Sequence, residues 1–192
     1  MDTVRTFVAV ELAPDILTRL EDLLTRMKRD LPSGLVRWVR PAGIHLTLKF
    51  LGEVPVNKVD AIAEAMRDAC TSYPPFSFAI NGLGCFPNPR RPRVIWAGVD
   101  EPSGTLAHLQ RDVERAMKPL GFAPEERKFH PHLTLGRVKR GTPGELRTLA
   151  EYISHDQAKI GEMQATSVSL MRSDLRPDGA VYTELAAALL SG

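Results

Sequence analysis

The sequence predicts a fold of two α/β lobes that are related by a pseudo-twofold axis and enclose a cleft. Segments with strand-like and helix-like patterns alternate along the chain, which is typical of a mixed fold. A strand–helix–strand pattern occurs twice, and in both copies the two strands begin 38 residues apart, near 7 and 45 and near 94 and 132. The second strand of each copy opens with His-Leu-Thr-Leu, and this repeat indicates a duplicated unit.

Length and composition place the chain among ordinary globular proteins. Its 192 residues are 43% hydrophobic and 25% charged, and the formal net charge is +2. This apolar content excludes a disordered chain, two cysteines exclude a disulfide-stapled scaffold, and no apolar run approaches the ~18 residues of a membrane span. The N-terminus also lacks a secretory pattern. We therefore expect one two-lobed domain over residues 1–192, in a reduced, cytoplasmic setting, with Cys70 and Cys85 in the core.

The first half of the chain contains six predicted elements. Residues 6–12 are rich in β-branched and aromatic types and precede a proline, which is typical of a strand. Apolar residues three and four positions apart predict an amphipathic helix over 15–30, which Pro32 and Gly34 end. Asn57 is predicted to cap a second helix. In order, the elements are a strand at 6–12, a helix at 15–30, strands at 36–39 and 45–54, a helix at 59–70 and a strand at 76–83.

The second half continues this alternation. Residues 94–99 are apolar throughout, which is typical of a buried strand, and Gly121 is predicted to end the helix that follows. Asp178 and Gly179 have the composition of a tight turn between two strands. In order, the elements are a strand at 94–99, a helix at 102–118, a strand at 132–138, a helix at 143–153 and strands at 166–173 and 181–185.

The repeated motif contains the residues that can carry chemistry. Side chains alternate faces along a strand, so His45 and Thr47 share one face, and His132 and Thr134 do likewise. A twofold axis between the strands would bring two imidazoles and two hydroxyls into one pocket. A neutral histidine takes a proton from water, a protonated one gives a proton to a leaving oxygen, and threonine hydroxyls donate to phosphate oxygens. Such a set needs no metal to cleave a phosphodiester.

His130 raises the alternative of a metal site. His130 and His132 have the His-x-His spacing of many metal sites, but zinc needs a third protein ligand, and no His, Asp or Glu in that strand supplies one. The first copy of the motif has Gly43 where the second has His130. We therefore expect no metal. His108 and His155 are predicted to lie on the surface.

Basic residues cluster at two places in the chain. Residues 127–140 contain five basic residues and no acid, and Arg90, Arg91 and Arg93 form a second cluster. A nearly neutral chain with local basic clusters favours a small anionic ligand over a long polyanion.

Several segments match a known family, and they contain both His-x-Thr motifs. They are residues 37–39, 45–52, 86–87, 92–98, 129, 131–137, 169–170, 172–173 and 182–183. On these residues the chain resembles the RNA 2′,3′-cyclic phosphodiesterases, also called the 2′-5′ RNA ligase family, of the 2H phosphoesterase superfamily. The resemblance extends over essentially the whole chain.

The resemblance implies an α+β fold with two mainly antiparallel sheets around the cleft, no cofactor, and hydrolysis of terminal 2′,3′-cyclic phosphates to 2′-phosphates. Position by position, it makes His45 the general acid at the 3′-oxygen and His132 the base that activates water. Thr47 and Thr134 would hold the phosphate. The partners would be RNA 3′ ends or small cyclic nucleotides, and a monomer is the default state.

Two further residues have a role only through the resemblance. The family has an arginine at the position of Arg137 that meets the nucleotide, by phosphate contact or by stacking under the base. Phe50 occupies the equivalent place in the first copy and would stack on the other side of the base. Strict alternation along the strand directs both side chains away from the catalytic face, unless the strand is ending there. The alternatives are a core phenylalanine and a surface arginine.

Three other functions compete with cyclic phosphate hydrolysis. One is 2′-5′ RNA ligation, which is the reverse reaction through the same site. The second is a module that binds RNA ends without catalysis, and the third is a metallohydrolase that uses His130 and His132.

Overall fold

The structure is a computed structural model that describes residues 2–176 and 179–192. In this part of the chain it has nine β-strands and four α-helices. The strands are β1 Thr3–Val10, β2 Val36–Trp38, β3 Leu46–Pro55, β4 Phe76–Phe86, β5 Val94–Asp100, β6 His132–Val138, β7 Lys159–Ala165, β8 Ser167–Arg176 and β9 Gly179–Leu189. The helices are α1 Pro14–Asp30, α2 Val59–Cys70, α3 Thr105–Met117 and α4 Pro143–His155.

All of the predicted strands and helices are present, and the helix at 59–70 and the strand at 132–138 have the predicted bounds. Other ends differ by up to four residues, and β7 was not predicted. β7 is an edge strand in which only Ile160 and Ala165 are buried, so its sequence lacks a clear alternation of apolar residues. The predicted cap at Asn57 is wrong, because a turn of 3₁₀-helix over Val56–Lys58 leads directly into α2. Gly121 does end the α3 segment, with a φ of 94°. The predicted turn at Asp178 lies outside the described residues.

The strands form one antiparallel sheet, which confirms the α+β class. The order of its strands is β7-β4-β5-β6-β3-β1-β8-β9, with β2 also paired to β6. We call β7-β4-β5-β6 and β3-β1-β8-β9 the two half-sheets. The sequence predicted two sheets, but a single residue pair, Leu46 with Leu133, joins the half-sheets into one. Beyond this pair β3 and β6 diverge, and β2 takes the place of β3 beside β6.

The helices cover one face of the sheet and cross between its halves. α1 follows β1 in the chain but packs against β7, and α3 follows β5 but packs against β3. In β1, Val8 and Val10 belong to the large core under the helices, whereas Phe7 and Ala9 lie in a small cluster on the opposite face. The face without helices is therefore free to hold a site. None of the helices in the described part of the chain has the length and apolar character needed to span a membrane.

Candidate active site

The two motif histidines are held in the same way in the two halves of the molecule. His45 immediately precedes β3, and its Nδ1 is 3.0 Å from the backbone oxygen of Gly43. His132 begins β6, and its Nδ1 is 2.6 Å from the backbone oxygen of His130. A carbonyl oxygen can only accept a hydrogen bond, so Nδ1 is the protonated nitrogen in each ring. Nε2 is therefore the nitrogen left to exchange a proton with a ligand.

The pair that joins the half-sheets lies on the pseudo-twofold axis. Leu46 and Leu133 are 87 positions apart, which is also the offset between His45 and His132. In an antiparallel ladder, two directly paired residues are related by a local twofold axis. The axis that relates the two copies of the motif therefore passes through this pair.

This register places the four polar side chains of the motifs beside one another. In the antiparallel direction Thr47 and His132 flank this pair on one side, and His45 and Thr134 flank it on the other, where β3 and β6 begin to diverge. The leucine between each histidine and threonine is fully buried in the helix-covered core, so the four polar side chains lie on the other face, where they are half-buried.

A β-bulge follows the threonine in both copies and corrects the expected direction of Phe50 and Arg137. Leu48 is the extra residue in β3 and Leu135 is the extra residue in β6, at the same place in the repeat. A bulge reverses the alternation of side chains beyond it. Leu48 and Lys49 are accordingly both buried, while the Phe50 side chain is 59% exposed. Phe50 and Arg137 thus return to the face of the histidines, and Phe50 is not a core residue. β3 continues to Pro55, whereas β6 ends at Val138, one residue beyond Arg137.

Aromatic rings surround His45. Phe7 stacks on its imidazole with centroids 4.4 Å apart, and Tyr182 meets the imidazole edge-on at 5.1 Å. Phe50 lies 5.6 Å from Phe7, which places it beside this group. The charge of Arg137 acts on the Tyr182 hydroxyl, where it opposes the rise in pKa that burial causes.

A second aromatic group surrounds His132. Phe86 meets the His132 ring edge-on at 5.0 Å, and Trp96 lies 6.3 Å from it. His130 lies 5.0 Å from Trp96 and is exposed. Sequence reasoning gave no role to Phe7, Trp96 or Tyr182. Their only sequence signal was that Trp96 and Tyr182 lie in segments that resemble the family.

Burial lowers the pKa of both imidazoles. For His45 the loss of solvation lowers it from 6.5 to about 4, although the hydrogen bond to Gly43 opposes the change. For His132 burial is again the largest cause; the hydrogen bond to the His130 backbone opposes the change, and the charge of the His130 side chain lowers the pKa further. Both imidazoles are therefore neutral at pH 7 in the free protein.

The remaining histidines and the cysteines lie where they were predicted. His108 on α3 and His155 at the end of α4 are exposed, and both cysteines are buried as free thiols. Within residues 2–176 and 179–192, no group of three His, Cys, Asp or Glu side chains is arranged to hold a metal ion.

Comparison with known proteins identifies the family. A family model described as "2′-5′ RNA ligase superfamily" matches residues 13–177. A relative named RNA 2′,3′-cyclic phosphodiesterase from Methanothermobacter thermautotrophicus is 42% identical over 185 residues, which are 95% of this chain and 96% of the relative. A relative of the same name from Archaeoglobus fulgidus is 37% identical over 94% of this chain and 97% of its own length.

Solved structures share the fold. The protein TT0787 of Thermus thermophilus superimposes with a TM-score of 0.82 at 27% identity, with 98% of each chain covered. E. coli LigT in complex with 3′-AMP gives a TM-score of 0.79 at 24% identity over the whole of both chains, and this likeness concerns the fold alone. Fold and site together define a phosphoesterase with paired His-x-Thr motifs. The chain belongs to the 2′-5′ RNA ligase superfamily.

Proposed function

We propose that this enzyme hydrolyses RNA-terminal 2′,3′-cyclic phosphates to 2′-phosphates, with His45 and His132 as general acid and base and without a metal. The observation that carries the proposal is the twofold arrangement of two His-x-Thr motifs around the Leu46–Leu133 pair. The names of the full-length relatives support the reaction class. In this proposal the whole chain forms one two-lobed domain, which acts as a monomer in the cytoplasm.

The pseudo-twofold axis suits an in-line displacement at phosphorus. In such a step the attacking and leaving oxygens lie on opposite sides of the phosphorus atom, so the two proton-transfer groups must also lie on opposite sides. His132 takes a proton from water as the water oxygen bonds to phosphorus. The bond from phosphorus to the 3′-oxygen breaks, and His45 gives its proton to that oxygen. The product carries a 2′-phosphate and a free 3′-hydroxyl.

The substrate supplies the charge that makes His45 an acid. Burial keeps His45 neutral in the free protein, so it must gain a proton before it can donate one. The cyclic phosphate is an anion, and a negative charge beside an imidazole favours the protonated form. The hydroxyls of Thr47 and Thr134 donate hydrogen bonds to the non-bridging oxygens and hold the phosphate between the rings.

Phe50 and Arg137 are the proposed contacts to the terminal nucleotide. Both side chains lie on the histidine face beyond the bulges, and both are exposed. An exposed ring offers a stacking surface for a base, and a guanidinium offers a planar partner for a base or a phosphate.

Product analysis on a short RNA with a 2′,3′-cyclic phosphate end tests the proposal. We expect a 2′-phosphate as the product, formed at the same rate with and without EDTA. Formation of a 3′-phosphate, or loss of activity on chelation with recovery on addition of a metal, would contradict it.

The family description gives a reason to test ligation with the same protein. Ligation is the reverse step, in which a 5′-hydroxyl replaces water at the same site. Water at ~55 M favours hydrolysis unless the site holds two RNA ends together. We therefore expect cleavage of a 2′-5′ joined RNA to exceed its formation when both directions are measured on defined ends.

A further inference from the structure

Among the described residues, the fold gathers arginines that have no carboxylate partner at one end of strands β2, β6 and β5. β2, β6 and β5 lie side by side there, with Arg37 paired to Arg137 and Arg137 paired to Val94. The loop between β4 and β5 adjoins this row, and the N–H of Val138 donates to the backbone oxygen of Arg93 at 2.9 Å. We call the residues Arg37, Arg90, Arg91, Arg93 and Arg137 the basic edge.

The basic edge differs from the rest of the surface in its charge balance. Seven arginines elsewhere each have a carboxylate within 4 Å, and they are Arg19, Arg26, Arg29, Arg115, Arg127, Arg147 and Arg172. In the part of the chain that the structure describes, the five arginines of the basic edge have no such partner. Arg37 and Arg137 even lie directly opposite each other on neighbouring strands, where like charges are destabilising unless an anion neutralises them.

An aromatic surface connects the histidines to the basic edge. Trp96 is paired with Thr134, and Phe86 is paired with Val94, so the two rings lie between His132 and the arginine loop. Gly84 lies under the indole, and a Cβ there would overlap the ring. The glycine thus allows Trp96 to lie flat on the sheet. Aromatic rings followed by unpaired cations are the pattern of a surface that binds single-stranded nucleic acid.

We propose that the basic edge and the Phe86–Trp96 surface bind the RNA strand next to the reacting terminus. The preferred substrate is then an RNA of several nucleotides, since a mononucleotide that contacts the histidines, Phe50 and Arg137 does not extend to Arg90, Arg91 and Arg93. Arg137 is the third residue after Thr134 along β6, so the basic edge begins about 10 Å from that threonine. This inference rests on the proposed function. It differs from the sequence expectation of a small ligand, because folding brings together arginines that are far apart in the chain.

The test compares substrates of one, four and twelve nucleotides that end in a 2′,3′-cyclic phosphate. The variant is Arg90→Ala/Arg91→Ala/Arg93→Ala, and the control is Arg29→Ala/Arg115→Ala/Arg147→Ala, which removes the same charge from other surfaces. We expect kcat/KM of the unaltered protein to rise about tenfold from one to twelve nucleotides at 50 mM salt. Each phosphate contact adds about 0.7 to the salt dependence on a single strand, so three contacts predict a log–log slope near −2.

The variant should lose most of the gain with length and most of the salt slope, while its kcat/KM on the mononucleotide stays within about twofold. The control should keep both. Equal kcat/KM for all three lengths, or a gain that the variant retains, would overturn the inference. An unaltered protein that hydrolyses none of the substrates would instead contradict the proposed function, so the two failures are distinguishable.

Discussion

At the residue scale, the site depends on two imidazoles that have the same hydrogen bond and different environments. The Nδ1 of each ring bonds to the carbonyl two residues earlier, so each presents Nε2 to the ligand. His45 lies between Phe7 and Tyr182, whereas His132 has the exposed His130 beside it. Burial lowers the pKa of both imidazoles, and it lowers that of His45 to about 4.

The lowered pKa values predict the pH dependence of the free enzyme. The reactive form of a histidine pair carries one proton, and kcat/KM reports the ionisation of free enzyme and free substrate. Both histidine pKa values lie below 6.5, so the last proton of the pair has been lost from most molecules once the pH exceeds 6.5. We expect kcat/KM on a cyclic mononucleotide to fall above pH 6.5, with the acid limb near pH 4. A plateau that begins above pH 7 would contradict this sign.

A change of leaving group distinguishes the acid from the base. A nitrophenolate leaves without protonation, so a nitrophenyl phosphodiester does not need the general acid. His45→Ala should then lose much less activity on the nitrophenyl ester than on the cyclic phosphate, whereas His132→Ala should lose activity on both. The measurement is kcat/KM for each variant on each substrate. If His132→Ala is the variant rescued by the nitrophenyl ester, the two roles are reversed.

At the element scale, the β3 bulge is fixed by a buried polar group on α3. Gln110 donates from its amide nitrogen to the carbonyl oxygen of Leu48, the extra residue of the bulge, at 3.3 Å. The next residue, Lys49, is 5% exposed, and its Nζ contacts Glu114 at 2.5 Å and the carbonyl of Ala123 at 2.9 Å. These contacts hold the reversed alternation that turns Phe50 to the site.

Removing one partner of the Lys49–Glu114 ion pair should lower the free energy of unfolding more than replacing both partners with apolar residues. Glu114→Leu leaves the Lys49 ammonium buried without its partner, and such losses amount to about 3–5 kcal/mol of unfolding free energy. Lys49→Met/Glu114→Leu removes both charges and should restore most of that stability. Urea unfolding of the single and double variants measures the difference. A double variant no more stable than Glu114→Leu would show that the ion pair does not control the stability of this contact.

The sequence predicted most elements, because their apolar periodicity is strong. It did not predict the bulges, since Leu48-Lys49 and Leu135-Gly136 continue a plausible strand pattern and the extra residue is visible only in the pairing. The shared face of the motif histidines and threonines was predicted through His-x-Thr alternation. The direction of the Phe50 and Arg137 side chains could not be predicted, because it depends on the bulges.

At the scale of the whole molecule, the site exists only because the two copies of the motif meet at one residue pair. Leu46 and Leu133 join the half-sheets, and the helices α1 and α3 pack across the halves. The duplication was visible in the sequence as two motifs at a fixed offset. The packing of the helices across the halves and the joining of the half-sheets into one sheet were not visible in the sequence, because they depend on tertiary packing that no local pattern encodes.

The net charge of +2 also has a different meaning in the folded molecule. Within the part of the chain that the structure describes, many surface arginines lie beside carboxylates, while those of the basic edge do not. A nearly neutral chain can therefore present a local cationic surface beside its reactive site.

The most direct test of the central claim measures turnover of an RNA ending in a 2′,3′-cyclic phosphate by His45→Ala and by His132→Ala. Acid–base catalysis contributes about 10²–10⁴ in rate, and each variant should lose that much in kcat/KM while remaining folded. His108→Ala, an exposed histidine on α3, is the matched control and should keep full activity. Turnover at the unaltered rate by either His45→Ala or His132→Ala would contradict the account.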